Sequence, residues 1–183
     1  MAFVRTPRRQ WIEQGMAALA TGGPDAVRIE VLARELGVTK GGFYGHFADR
    51  RALLDEMLDT WERSSVDDVI TRIEAEGGDG RTRLRRLFTI ASTDAADLHR
   101  TDLAVRQWAR HDRDVARRLR RVDNRRMAYL RTLFATFCAD EAEVEARCTV
   151  AMALFVSGPL LATDHGHRTR GQAIGLALDR LVA

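Results

Sequence analysis

The chain has 183 residues, which is enough for one good-sized core or for a small head joined to a larger body without disulfide or metal staples. A formal net charge of +3 is too small for bulk electrostatics to mark a nucleic-acid binder. The two cysteines, Cys138 and Cys148, fit neither a disulfide framework nor a metal-ligand spacing and are read as unpaired thiols. No signal-peptide pattern follows Met1, so the expected location is the cytoplasm. The longest apolar stretch, 148–162, is shorter than the ~17 residues a bilayer span needs and is broken by Ser157-Gly158-Pro159.

Nearly every segment carries helical spacing and none alternates with period two, so the fold class is all-α. A first helix is predicted over Pro7–Ala20, burying Ile12, Met16, Leu19 and Ala20 and ended by Gly22-Gly23-Pro24. Arg5, Arg8 and Arg9 precede the first acid, Glu13, which suits phosphate contact but equally a frayed basic terminus. Next, Ile29, Leu32, Ala33 and Leu36 fall at i, i+3, i+4 and i+7, the single apolar face of a short helix. Gly37 supplies a residue able to take positive φ, and Val38, Phe43 and Phe47 return to the core. Thr39, Lys40, Gly41 and Tyr44 are then left on the outer side of a second short helix. That spacing predicts a helix-turn-helix with an exposed recognition helix, against the alternative of an ordinary helical hairpin. Lys40, the sole lysine of the chain, and Thr39 are candidates for base edges: lysine donates to guanine O6 and N7, and threonine touches a thymine methyl. Gly41 and Gly42 each lower helix propensity by about 1 kcal/mol relative to alanine, so the recognition helix is expected to order fully on DNA.

The stretch Leu36-Gly-Val-Thr-Lys-Gly-Gly-Phe-Tyr-Gly-His-Phe-Ala-Asp-Arg-Arg-Ala-Leu-Leu54 resembles the signature of the TetR (tetracycline-repressor) family of bacterial regulators, Gly-Val-x-x-Gly-x-x-Tyr-x-His-Phe followed by a charged pair and Leu-Leu. The wider pattern from Trp11 to Leu54 is similar to that family's DNA-binding domain. The resemblance implies phosphate contacts from Tyr44, His46 and Arg50, all hydrogen-bond donors. A core histidine is the competing reading of His46. Arg28, counted with Thr39, Lys40, Gly41, Tyr44, His46 and Arg50 among the candidate DNA-binding residues, stands where the family usually has threonine, and Gly42 where a hydroxyl residue is frequent.

A long fourth helix is predicted from Asp49, a potential cap, carrying Leu54, Leu58 and Trp61, then Val66, Val69, Ile70 and Ile73. Gly77-Gly78-Asp79-Gly80 breaks it, and Leu84, Leu87, Phe88 and Ala91 resume helical spacing. Further helices are expected around 102–109, 114–137, 141–162 and 168–182. Ten arginines from Arg106 to Arg131 resemble a second nucleic-acid surface, but acids such as Asp59, Glu62 and Asp67 favour inter-helix ion pairs.

Domain 1–50 is therefore expected to be a three-helix helix-turn-helix head, and 51–183 a helical body that binds a ligand and dimerises. The resemblance implies a homodimer through the last two helices, 141–162 and 168–182, and an unidentified small-molecule effector. Trp61, Phe88, Trp108 and Met127 are candidate pocket residues, although large apolar residues at helical spacing also make plain core. Asp164, His165 and His167 lack a third metal ligand at recognisable spacing, and no Ser/His/Asp order, P-loop or Rossmann pattern occurs. The expected partner is double-stranded operator DNA, with no catalytic residue, metal, cofactor or membrane. The alternative is a degenerate helical dimer that no longer binds an operator.

Overall fold

The computed structural model describes the backbone of residues 6–93 and 96–183, and their side chains except at 91–93, 96, 97 and 159. Arg5 of the expected basic arm and the side chain of Ala91 lie outside the described residues. Most of the described residues are helical, with no strand among them beyond an isolated bridge between His165 and Arg168. The helices are α1 (Arg8–Gly22), α2 (Ile29–Glu35), α3 (Lys40–Tyr44), α4 (Arg50–Glu62), α5 (Asp68–Glu76), α6 (Gly80–Thr93), α7 (Ala96–Ala109), α8 (Arg113–Phe134), α9 (Glu141–Ser157) and α10 (Arg170–Val182). The chain divides into two compact units, one running to Ser64 and including Asp97–Leu119, the other comprising Ser65–Ala96 and Arg120–Ala183.

In the first unit α1 buries Trp11, Gly15 and Leu19, at i, i+4 and i+8. Ile12, Met16 and Ala20, expected in the core, are half-buried. The reason is Gly15: a Cβ there would stand 2.7 Å from the Met57 sulfur, so α4 closes on α1 along the line of the glycine. From α4 come Leu53, Leu54, Met57, Leu58 and Trp61, all buried. Asp49 caps α4 as expected, its carboxylate accepting from the Ala52 N–H at 2.8 Å. The boundary expected between residues 50 and 51 thus falls at the first residue of α4, whose apolar face belongs to the core of this first unit. The helix expected from Asp49 to Ile73 is interrupted by a π-type turn, Arg63–Asp67, before α5 begins.

The second unit centres on Leu84, Leu130, Leu133, Phe134, Val144, Cys148, Ala151 and Val182. Gly80 is buried at the start of α6, where a Cβ would lie 2.7 Å from the Leu133 carbonyl oxygen. Two arginines hold the end of α10. Arg81 donates to the Val182 and Ala183 carbonyls and lies 4.0 Å above the Phe137 ring, and Arg147 donates to the Leu181 carbonyl at 2.6 Å. Cations at a helix C-terminus satisfy its unpaired carbonyls and oppose its dipole. α9 ends at Ser157, five residues short of the expected Ala162, and a 3-10 turn over Gly158–Leu160 follows, since Pro159 cannot continue the hydrogen-bond ladder. α10 begins at a capping box in which Thr169 and Gln172 exchange hydrogen bonds.

The arginine stripe is engaged in ion pairs within each unit. Arg118 meets Asp59 at 2.5 Å and Glu62 at 2.6 Å in the first; Arg125 pairs with Asp67, and Arg131 with Glu145 at 2.6 Å, in the second. These contacts agree with the reading of that stripe as ion-paired helix faces.

Candidate nucleic-acid interface

The sequence between α2 and α3 turns as its residue types require. The Leu36 N–H bonds the Leu32 carbonyl at 2.9 Å, Gly37 adopts φ 68°, and the Val38 N–H returns to the Ala33 carbonyl at 2.9 Å. Only a residue without Cβ takes that φ at low cost. Leu32, Ala33, Phe43 and Phe47 are buried. Phe43 stacks on Phe47 with centroids 5.2 Å apart and meets Trp11 edge-on at 5.3 Å, which fixes α3 against α1. With Phe43 inward, Thr39, Lys40, Gly41 and Tyr44 are exposed together on the outside of α3, Tyr44 at 53 %.

Neither short helix has a side-chain N-cap. Arg28 precedes α2 and Thr39 precedes α3 in extended conformation, and neither side chain bonds the following turn. Arg28 is exposed and donates instead to the Asp25 carbonyl at 3.2 Å. α3 is five residues long, in keeping with the low propensity of Gly41-Gly42.

Lys40 is ion-paired with Glu30 of α2, and both side chains are at least half exposed. The hydrogen bond from Lys40 holds the Glu30 carboxyl below its usual range, and Glu30 in turn raises the ammonium of Lys40. Both groups therefore stay charged through neutral pH.

His46 and Arg50 are placed differently. His46 is half-buried, and its Nε2 is buried without a hydrogen-bond partner among the described residues. Its carbonyl accepts from Arg8, whose guanidinium also grips Glu56 and lies 4.4 Å above the Phe47 ring. The Arg50 guanidinium donates to the Val27 carbonyl at 2.6 Å and to the Pro24 carbonyl. Arg50 thus ties the loop before α2 to the start of α4 with two of its five N–H donors.

Residues 8–57 match the model of the family described as bacterial regulatory proteins, tetR family. The N-terminal domain belongs to the TetR family. Likeness to solved structures extends over the whole chain. A TetR-family regulator from Rhodococcus sp. shares 23 % identity with a TM-score of 0.67, over 96 % of this chain and 98 % of that one. A regulator from Saccharomonospora viridis, solved in complex with choline, shares 19 % identity with a TM-score of 0.79, over 96 % and 94 %. FadR from Bacillus subtilis, solved with stearoyl-CoA, shares 13 % identity with a TM-score of 0.72, over 97 % and 98 %. At such identities the likeness speaks for the fold: a helix-turn-helix head of the TetR type followed by a helical body. No curated protein matches the sequence.

Outside the TetR-type head, the four candidate pocket residues are divided between the units. Trp61 and Trp108 are buried in the first unit, and Trp61 Nε1 has no hydrogen-bond partner among the described residues. Phe88 and Met127 pack against the core of the second. Among the described residues no group of three His, Cys, Asp or Glu is placed to hold a metal, and no helix is long and apolar enough to cross a membrane. Sequence reasoning missed Glu30, whose contact with Lys40 spans ten positions and a turn, and the internal engagement of Arg8. An acid on the outer side of α2 facing the sole lysine is the one signal that was available.

Proposed function

We propose that the protein is a transcriptional regulator that binds a palindromic operator in double-stranded DNA as a homodimer and releases it when a small molecule fills its body, acting as a repressor in the cytoplasm rather than as an enzyme. The observation that carries this reading is the outward presentation of Thr39, Lys40, Gly41 and Tyr44 by a TetR-family head whose remaining α3 side chain, Phe43, is locked in the core. Donors on such a face suit a major groove: Tyr44 for phosphate, Lys40 for base edges.

Dimerisation through α9 and α10 accounts for the apolar side chains exposed there, Val150 at 45 % and Leu176 at 50 %, together with Leu160 at 62 %. A second copy would cover them and supply the second half-site reader. Effector control is supported by the full-length likeness to regulators solved with choline and with stearoyl-CoA. Two ligands so unlike leave the chemistry of this chain's effector open. Coupling requires that the effector bind the DNA-incompetent state more tightly, since equal affinity shifts nothing.

The test is a pair of substitutions measured on operator and on random DNA. Tyr44→Ala should weaken both alike while leaving the salt slope unchanged, because its hydroxyl donates to phosphate without carrying a charge. Lys40→Ala should lose affinity for operator only. Unaltered binding by both variants, or a wild-type chain that binds no DNA in a salt-dependent manner, refutes the reading in favour of a DNA-free interaction module.

A further inference from the structure

We propose that Glu30 is a specificity-determining residue, acting with Lys40 as a single reader of one G·C base pair in each operator half-site. The inference rests on the operator-binding reading above and deepens it. Its basis is the pairing of the only lysine of the chain, on the outer face of α3, with a carboxylate delivered from α2 across the turn.

A carboxylate on a DNA-facing surface is out of place unless something there donates to it. Phosphates repel it, and the major-groove edges are rich in acceptors: N7 on both purines, guanine O6 and thymine O4. The donors present are the cytosine N4 and adenine N6 amines. The Glu30–Lys40 pair sets an acceptor directly beside a donor, in hydrogen-bond contact. A Watson–Crick pair displays the complementary arrangement, an amine and a carbonyl about 2.9 Å apart across the base-pair hydrogen bond.

The order of groups along the edge then selects the pair. At G·C, guanine offers two adjacent acceptors, N7 and O6, for the ammonium of Lys40, and the cytosine N4 amine follows for Glu30. At A·T the amine of adenine stands between N7 and thymine O4. Adenine N7 still offers the ammonium one acceptor beside that amine, but the second acceptor that guanine O6 supplies is replaced by a donor, and the thymine methyl crowds O4. Glu30 also restrains Lys40: holding the ammonium lowers its availability to phosphates, so the pair trades non-specific affinity for discrimination.

Glu30 is well exposed, with 65 % of its side chain accessible, so its replacement leaves the fold intact. The experiment uses the full chain and a half-site obtained by selection from a random DNA library. Each position of that half-site is then exchanged between G·C and A·T, and binding is measured for wild type, Glu30→Ala, Glu30→Gln, Lys40→Ala and the double variant Glu30→Ala/Lys40→Ala. The expected result is one G·C position preferred by wild type on the order of tenfold. Glu30→Ala and Lys40→Ala should each flatten that preference at the same position, with no further loss in the double variant because the two act as a unit. Glu30→Ala should bind random DNA at least as tightly as wild type. A wild-type base preference retained in both Glu30 variants overturns the inference, as does a selected half-site with no G·C position sensed by Lys40→Ala. Both results leave operator binding standing. If wild type selects no site, the operator reading falls and the inference with it.

Discussion

Replacing Arg50 with alanine separates two roles that the same guanidinium is able to play. In the structure it donates to the Val27 carbonyl at 2.6 Å and to the Pro24 carbonyl, bridging the loop before α2 and the first turn of α4. Hydrogen bonds to a charged group each contribute about 1.5–3 kcal/mol, but the site is only partly buried and water can replace the lost donor. A net destabilisation of about 1–3 kcal/mol follows. For a domain of this size that lowers Tm by roughly 2–4 °C per kcal/mol, which calorimetry or circular dichroism resolves. The two carbonyls are neutral and leave three N–H donors and the full charge, so a second role on phosphate would show separately, as a slope of log K against log salt reduced by about one. Unchanged stability accompanied by a salt slope reduced by about one would refute this account and place Arg50 on a phosphate.

Gly15→Ala should be destabilising by about 1–3 kcal/mol through overpacking against Met57, and Gly15→Ala combined with Met57→Ala should lose less than the sum of the two single changes in denaturant titrations. Asp49→Ala removes the cap on the Ala52 N–H and should cost about 1 kcal/mol, measured by urea unfolding. Burial pushes the Cys148 thiol up to about 11, above its ordinary value near 9. A group whose folded pKa is raised stabilises below its unfolded pKa and loses that contribution as pH rises through the folded value. Stability should therefore fall between about pH 9 and 11, and less steeply in Cys148→Ala, with the native thiol unreactive toward a disulfide reagent at neutral pH.

The helix-turn-helix was legible because its determinants are local. The i, i+3, i+4, i+7 face of α2, the positive φ of Gly37 and the inward return of Phe43 and Phe47 all lie within one short segment. The same holds for the Asp49 cap. What escaped the sequence depends on partners distant along the chain. Gly15 enters the core because Met57 abuts it, Arg8 is spent on Glu56 and the His46 carbonyl, and Arg50 on carbonyls more than twenty positions earlier. Charge alone marks an arginine as available; only the fold shows whether it is already engaged. The π-type turn at Arg63–Asp67 was not expected, although Val66, which the helical spacing placed in the core, is buried within it.

The most direct test of the central claim is selection of DNA from a random library by the purified full chain at two salt concentrations. The account predicts enrichment of a twofold-symmetric site whose affinity falls with salt, with half-sites about one helical turn apart or a multiple of it. A folded, dimeric protein that enriches no sequence would contradict it.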